Sequence, residues 1–436
     1  MERRKALGGF NPARSPRREA SEMPPPELFS EFYEGTGERE VSTTMAFVRI
    51  LSKLLKDEKI GRFLVPIIPD EARTFGMDAL FRQCGIYSHP GQLYEPVDKK
   101  NLLYYKEATD GQILEEGITE SGSMGSFIAA GTAYSNHGIP TVPFFAFYSM
   151  FGPQRVGDLI WAAGDSRCRG FLMGGTSGRT TLPGEGLQHQ DGNSHLIAMT
   201  VPNLCAYDPS FAYELAVIIE DGLHRMFEDG EVVFYYVTIM NENYAQPHMP
   251  EGVRDGILRG LYRLRETAED DDRPKVRLWG SGSILNEVRR AAQMLDEQFD
   301  VAAEVWSATS YKTLYAEAAE ADRWNRLHPE EEQRTPYVTG CLADGDAPVV
   351  AATDYVKALP ASVGRWVPAR YTVLGTDGFG RSDGREALRD FFEVDARHVA
   401  LAALSALAAD GKAPASLAAR AVKELEIDTE RDNPIR

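Results

Sequence analysis

The sequence predicts an α/β protein with two domains, each built on a mainly parallel sheet. Short apolar runs that fit buried strands alternate with stretches in which apolar residues recur at helical spacing. The chain has 436 residues, which is more than one ordinary domain holds. A charge run that ends in a proline, residues 265–274, interrupts the alternation and predicts a linker between the two domains.

Residues 1–40 are predicted to form an N-terminal arm, because five prolines interrupt regular structure there. The first domain is predicted over residues 41–264, and it opens with a helix capped by Ser42 or Thr43. Apolar residues at helical spacing predict further helices at 123–135, 154–165 and 209–227. Apolar runs predict strands at 63–69, 141–147, 170–175, 196–202 and 232–240.

The second domain is predicted over residues 275–436. It opens with a strand at 276–280, and the next helix has an apolar face made of Ile284, Leu285, Val288, Ala292 and Leu295. Further strands are predicted at 301–307, 348–354 and 371–377. An alanine- and leucine-rich helix at 398–411 ends at a glycine stop signal.

Composition excludes several classes of protein. The formal net charge of −18 repels phosphate backbones, so nucleic acid is not an expected partner. No apolar run approaches the roughly 18 residues that a membrane helix needs. The four cysteines form no C-x-x-C pair and indicate reduced thiols, and no apolar stretch follows the basic N-terminus as in a secretory signal. A cytoplasmic protein is therefore predicted.

Two acidic residues, Asp70 and Glu71, directly follow the predicted strand 63–69. Ligands bind at the carboxyl ends of strands in open α/β sheets, so these carboxylates would lie at the mouth of a cleft. An ion pair between Glu71 and Arg73 at a helix start explains the pattern equally well. Glu120 opens a glycine- and serine-rich helix, where a carboxylate in the first turn is also ordinary capping chemistry.

The segment 174–195 is a long, glycine-rich loop between two predicted strands, and loops of this length in compact domains are usually functional. It carries Glu185, His189 and His195. Their spacing fits no standard metal site, so no metal ligands are predicted in this chain. Tyr148 and Phe151 follow the strand 141–147, where core packing is the usual role of aromatic side chains.

Several colinear stretches together resemble the decarboxylating first component of the pyruvate dehydrogenase complex, in its single-chain bacterial form. They follow the family order from residue 41 to the C-terminus and include PIIPDEARTFGM, YYKEATDGQILEEGITE, FYSMFGPQRVGDLIWAAGD, GGTSGRTTLPGEGLQHQDGNSH, NENYAQP and LGTDGFGRSD. This family has three transketolase-like domains. The chain resembles the pyrimidine-binding middle domain and the C-terminal domain, and it contains no G-D-G motif of the diphosphate-binding domain.

The resemblance implies that thiamine diphosphate is the cofactor and gives three residues a place beside it. Glu120 matches the glutamate that hydrogen-bonds N1′ of the aminopyrimidine ring and so promotes removal of the C2 proton. Phe151 matches the aromatic residue that stacks on this ring, and Tyr148 lies beside it in the site.

Four further residues match family positions around the substrate. Asp70 and Glu71 match acidic residues that line the pocket. Glu185 and His189 match residues near the substrate and the oxygens of the intermediate, and an imidazole suits that position because its proton moves near neutral pH.

The resemblance implies that the chain is the C-terminal, β-like subunit of a split pyruvate dehydrogenase, which decarboxylates the 2-oxo acid and transfers the acyl unit to a lipoyl group. A separate subunit would bind the diphosphate and Mg²⁺ in an α2β2 assembly, and the chain would be inactive without it. A lipoyl-bearing acyltransferase or carrier protein would be a further partner. One alternative is a split two-carbon transferase that acts on a sugar, a carbonyl or a carrier protein. Another is a catalytically silent scaffold, against which the presence of Glu120, Phe151 and His189 argues.

Overall fold

The computed structural model describes residues 2–3, 23–69, 72–95, 105–268 and 271–435. Two sheets organise these residues: a six-stranded sheet in the N-terminal half, residues 23–261, and a five-stranded sheet in the C-terminal half, residues 262–435. Helices pack around both sheets, which confirms the predicted α/β class. Within the described ranges, none of the helices has the length and apolar character needed to span a bilayer.

The N-terminal half contains ten strands and nine helices among its described residues. The strands are β1 (Glu40–Val41), β2 (Leu64–Ile68), β3 (Ile86–Tyr87), β4 (Glu107–Ala108), β5 (Leu114–Glu115), β6 (Val142–Tyr148), β7 (Phe171–Gly175), β8 (Leu204–Tyr207), β9 (Phe234–Thr238) and β10 (Tyr244–Ala245). The helices are α1 (Glu27–Ser30), α2 (Thr43–Lys56), α3 (Leu80–Cys84), α4 (Glu120–Gly131), α5 (Ala133–Asn136), α6 (Pro153–Asp165), α7 (Ser194–Ala198), α8 (Ala212–Leu223) and α9 (Arg254–Arg259).

The C-terminal half begins with a strand. Its strands are β11 (Tyr262–Arg265), β12 (Lys275–Gly280), β13 (Ala302–Ser307), β14 (Val349–Ala352) and β15 (Tyr371–Leu374). Its helices are α10 (Ile284–Phe299), α11 (Tyr311–Leu327), α12 (Tyr337–Gly340), α13 (Ala358–Ala361), α14 (Arg385–Phe391), α15 (Ala396–Ala409) and α16 (Ala415–Glu424).

The six-stranded sheet has the order β5-β2-β6-β7-β9-β8, and all its neighbouring strands are parallel. Its central strands are buried along their length, as apolar runs without polar alternation predict. In a parallel sheet all strands end at the same edge. The segments that follow β2, β6 and β7 therefore meet there, and these segments carry most of the candidate site residues.

The helix predicted after residue 41 is α2, and its start follows from capping. Ser42 is the N-cap, and its hydroxyl accepts a hydrogen bond from the Met45 N–H at 3.2 Å. One side of this helix is apolar, and its side chains Phe47, Ile50 and Leu54 are fully buried. Before this helix, part of the predicted arm also packs on the core, because the Phe29 side chain in α1 is fully buried.

The strand predicted at 196–202 is wrong, because this stretch begins in the short helix α7 and the strand β8 starts only at Leu204. The reason lies just upstream. The buried carboxylate of Asp191 accepts hydrogen bonds from the backbone N–H groups of Asn193 and Ser194, at 2.9 and 3.0 Å. This Asx turn leads the chain into a helix where apolar content alone indicates a strand.

The chain enters the C-terminal sheet earlier than predicted. The sheet has the order β11-β13-β12-β14-β15, and β11 pairs with β13 in the antiparallel sense while the other pairs are parallel. Strand β11 thus lies at the end of the range predicted for the first domain, before most of the predicted linker. It was missed because an edge strand with the sequence YRLR is only partly buried and has no apolar run.

Candidate active site

The candidate residues lie on three segments at one edge of the parallel sheet. Tyr148 is the last residue of β6, and Phe151 ends the short 3-10 turn that follows it. Glu120 is the first residue of α4, which packs against β6. His189 ends a second 3-10 turn within the long loop between β7 and α7. The strands therefore fix the positions of the aromatic residues, while the loop positions the imidazole.

Three rings form the centre of the cluster. The centroids of Tyr148 and Phe151 are 5.8 Å apart, and the imidazole of His189 lies 5.1 Å from the first and 5.3 Å from the second. Phe75, which follows β2, packs edge-on against Tyr148 at 5.5 Å. All of these contacts are near the optimum for aromatic pairs, so each ring limits the movement of the others.

A carboxylate lies next to the imidazole. Glu185 Oε2 is 3.6 Å from His189 Nδ1, a distance that allows an ion pair when the imidazole is protonated. Apart from this contact, the buried Nδ1 atom has no hydrogen-bond partner within the described part of the chain. A buried nitrogen without a partner is unusual in a folded protein and is typical of a functional site.

Glu120 joins the cluster through an arginine. Its side chain is 9% exposed, and Oε2 lies 3.8 Å from Nη1 of Arg155. The same guanidinium stacks over the ring of Phe151 at 4.0 Å from the centroid. The N-cap of α4 is the neighbouring Thr119, whose hydroxyl accepts from the Gly122 N–H at 3.1 Å. Glu120 is thus free of the capping role that its position suggested.

The structure brings together every predicted site residue that it describes: Glu120, Tyr148, Phe151, Glu185 and His189. Asp70 and Glu71 lie outside the described residues. Arg155 was missed by the sequence analysis, although two signals pointed to it. It lies four residues after Phe151, and it places a positive charge in the first turn of α6, where the helix dipole disfavours a cation.

The geometry fits an aminopyrimidine ring. A flat, nitrogen-bearing group, the guanidinium of Arg155, already stacks on the Phe151 ring with the Glu120 carboxylate beside it. An aminopyrimidine is also flat and carries nitrogens on its edge, so this aromatic face with a carboxylate at its side offers it the same two contacts.

His195, the other histidine of the segment, does not join the cluster. It is buried, and its Nε2 lies 2.9 Å from the hydroxyl of Thr238, which donates to Oδ1 of Asp208 at 2.6 Å. Tyr355 from the C-terminal half also donates to Asp208 Oδ1, at 3.3 Å. Burial lowers the pKa of His195 and raises the pKa of Asp208 to about 7. These residues form a buried contact between the two halves.

This network makes stability depend on pH. The folded pKa of Asp208 lies above that of an exposed aspartate, so its stabilising contribution is complete below about pH 4 and is lost as the pH rises towards 7. His195 acts oppositely, because its lowered pKa makes it lose stability as the pH falls. Asparagine does not ionise, so Asp208→Asn lacks this loss. When the pH is raised from 5 to 8, the unfolding free energy of the wild type should therefore fall by about 2–3 kcal/mol relative to that of Asp208→Asn.

Urea unfolding of both proteins at pH 5 and pH 8 measures this difference. Asp322→Asn is the matched control, because that carboxylate lies near the surface and pairs with Arg365. If the unfolding free energies of the wild type and Asp208→Asn change by the same amount between pH 5 and pH 8, Asp208 is already ionised in the folded protein at pH 5.

Comparisons with known proteins give the family. Residues 26–247 match the pyruvate dehydrogenase E1 component middle domain, and residues 260–395 match the transketolase-like C-terminal domain. The pyruvate dehydrogenase E1 component of Pseudomonas aeruginosa is 55% identical over 435 residues, which is 100% of this chain and 49% of the relative. The Escherichia coli K12 protein of that name is 52% identical over 434 residues, covering 99% and 48%. The chain spans about half the length of these relatives.

Solved structures with low sequence identity to this chain have a similar fold. Transketolase from Leishmania mexicana aligns with a TM-score of 0.66 at 17% identity, over 95% of this chain and 52% of that one. A structure described as a split gene transketolase, an inactive β4 tetramer, aligns with a TM-score of 0.54 at 16% identity, over 84% of this chain and 98% of that one. The chain therefore belongs to the pyruvate dehydrogenase E1 component family, with the middle domain of that family followed by a transketolase-like C-terminal domain.

Proposed function

We propose that this chain provides the pyrimidine-facing half of a thiamine diphosphate site, in an enzyme that decarboxylates pyruvate and transfers the acyl unit to a lipoyl group. The observation that carries the proposal is the cluster of Glu120, Phe151 and His189 at the carboxyl edge of a parallel sheet, in a chain 55% identical to a pyruvate dehydrogenase E1 component. When bound, the cofactor supplies an acidic carbon that attacks the 2-oxo carbon and accepts the electrons released by decarboxylation.

Glu120 and the aromatic residues act on the cofactor side. With the cofactor bound, the carboxylate of Glu120 would hold a proton at the edge of the aminopyrimidine, at N1′, and the Phe151 ring would pack against its face. Tyr148 keeps Phe151 in place through their edge-to-face contact at 5.8 Å. To make room, the Arg155 guanidinium swings off the Phe151 ring, which its exposed position allows.

His189 acts on the substrate side. Its Nδ1, which has no hydrogen-bond partner among the described residues, lies 3.6 Å from Oε2 of Glu185, so this carboxylate orients the imidazole. An imidazole in this place can give or take a proton at the substrate oxygen. Asp70 and Glu71 follow strand β2 in the sequence after one intervening residue, Pro69, and we propose that they contribute carboxylates to the same substrate site.

The diphosphate and Mg²⁺ would be held outside these 436 residues, which contain no G-D-G motif, and we propose a separate subunit for them. Two exposed apolar residues border the cluster, and they favour the proposal that another protein surface covers it. Ile118, two residues before Glu120, is 76% exposed, and Leu187, two residues before His189, is 50% exposed. An α2β2 assembly, with a lipoyl-bearing acyltransferase as the acceptor, follows from this proposal.

Reconstitution tests the proposal. The chain alone should show no micromolar binding of thiamine diphosphate and Mg²⁺ in calorimetry, whereas a mixture with a G-D-G subunit should bind both. The mixture should then release CO₂ from pyruvate and reduce ferricyanide, an artificial electron acceptor that needs no lipoyl partner. Acetyl transfer to a lipoyl domain should follow when that domain is added.

Other outcomes would contradict the proposal in distinct ways. Micromolar cofactor binding by the chain alone would remove the need for a second subunit. Cleavage of a ketose phosphate without CO₂ release from pyruvate would identify a two-carbon transferase instead. Cofactor binding without turnover on either substrate would favour a scaffold.

A further inference from the structure

The loop that carries His189 lacks strands and contains only one short 3-10 turn. We call residues 176–193, between β7 and α7, the His189 loop. Such a segment gains little order from its own backbone hydrogen bonds, so its conformation depends on what surrounds it. Yet most of its first residues are fully buried, including Ser177, Arg179 and Thr180. Contacts from outside the N-terminal sheet must therefore stabilise the conformation of the His189 loop.

The C-terminal half supplies this support through many hydrogen bonds to the His189 loop. Asp354 accepts from the Thr180 and Thr181 N–H groups at 2.8 and 3.1 Å. Other bonds run from Val356 N to Gly192 O at 2.9 Å, from Gly184 N to Asp383 O at 3.0 Å, from Arg385 Nε to Thr181 O at 2.7 Å and from Arg381 N to Gln190 Oε1 at 2.6 Å.

Arg179 is a loop side chain that contacts the backbone of the C-terminal half. It is 2% exposed, and its Nη1 donates to the backbone carbonyls of Thr376 and Gly378, the second at 2.6 Å. Space around the guanidinium is tight, since a Cβ added at Gly192 would lie 2.4 Å from its Cζ. The carboxylates of Asp191 and Asp354 offset its buried charge.

The C-terminal segment that accepts hydrogen bonds from Arg179 also contacts residues next to His189. Three residues beyond Gly378, the N–H of Arg381 donates to Gln190, the neighbour of His189. The backbone of Gly380 also lies against this part of the loop, because a Cβ there would meet the carbonyl of Leu187 at 2.8 Å. The C-terminal segment 376–381 is thus held by Arg179 at one end and supports the His189 turn at the other.

We infer that Arg179 is a positioning residue, which sets the location of the His189 imidazole by clamping the C-terminal segment 376–381 beneath the His189 loop. The C-terminal half therefore contributes to the site through its contacts with the His189 loop. This inference rests on the proposed role of His189. Lysine would keep the charge at position 179 but not the planar guanidinium that donates to two carbonyls from one place.

A double-mutant cycle in the reconstituted complex tests the coupling. Arg179→Lys should lower kcat by roughly 10–100-fold, the usual effect of a misplacement of about 1 Å at a reacting group. In a His189→Ala background the same change should have almost no further effect, because Arg179 acts through His189. The inference would be overturned if Arg179→Lys lowered kcat by the same factor in both backgrounds, or if it left kcat unchanged.

Arg277→Lys is a matched control. Arg277 is also a buried arginine, and its Nη1 donates to the carbonyls of Leu342 and Gly345 at 3.3 and 3.2 Å. Its other side-chain hydrogen bonds, to Glu304 and Asp344, also stay within the C-terminal half. Its replacement should affect stability in the same way while leaving kcat near the wild-type value. A loss of kcat as large as that of Arg179→Lys would overturn the inference, because the effect would then follow from the loss of any buried arginine.

Amide hydrogen exchange in the chain itself provides a readout that needs neither cofactor nor turnover. Arg179→Lys should speed exchange at residues 184–190, and Arg277→Lys should not. Unchanged exchange in the first variant would overturn the inference even if the enzyme is active. If the complex shows no thiamine-dependent reaction, the proposed function fails, and the exchange result alone decides whether Arg179 holds the loop.

Discussion

Replacing Glu120 with glutamine should lower the turnover of the reconstituted enzyme by roughly 10²–10⁴-fold, the usual contribution of a positioned acid or base. The amide keeps the shape of the side chain but cannot take up the proton that the carboxylate shares with the pyrimidine edge. Folding should change little. The cap of α4 is Thr119, and a first-turn carboxylate adds only about 1 kcal/mol or less.

Glu116→Gln is the control for this variant. Its carboxylate lies on the same segment and accepts a hydrogen bond from Ser126 of α4 at 2.5 Å, but it has no contact with the aromatic cluster among the described residues. Turnover is measured as CO₂ release at saturating cofactor, and folding by circular dichroism. Near-normal turnover in Glu120→Gln would show that another group activates the cofactor, and a failure to fold would assign Glu120 a structural role.

Replacing Asp354 with alanine should lower the unfolding free energy by about 3–5 kcal/mol. Its buried carboxylate accepts four hydrogen bonds, from the N–H and hydroxyl groups of Thr180 and Thr181. Alanine would leave two buried N–H groups without an acceptor, and Arg179 would lose one of the negative charges around it.

Urea unfolding measures the loss, with Asp322→Ala as the control. Asp322 also accepts hydrogen bonds within the C-terminal half, from Arg365 and from the Trp366 ring, but near the surface. Its removal should cost about 1 kcal/mol or less. A similar small loss for Asp354→Ala would mean that water replaces its carboxylate, and that the two halves are held together by other contacts.

Local sequence patterns were enough to predict most of the secondary structure. The five residues predicted for the apolar face of α10 are all fully buried, because helical spacing decides which side chains share one side of a helix. Two of the mispredicted elements, the strand at 196–202 and the unpredicted strand β11, are cases in which an Asx turn or an edge pairing outweighs apolar content. Both depend on a particular hydrogen bond rather than on a repeating pattern.

By itself the sequence determined the fold class, the family and the identity of the candidate residues on each segment, because apolar runs and colinear motifs are properties of neighbouring positions. Only the tertiary structure decided which of these residues meet. It placed Arg155 against Glu120 across 35 positions, and it buried His195 in the contact between the halves while leaving His189 beside the aromatic rings. The two histidines lie six residues apart, His189 in the loop and His195 in α7. Their roles differ because Thr238 pairs with His195, whereas no hydrogen-bond partner in the described chain reaches Nδ1 of His189.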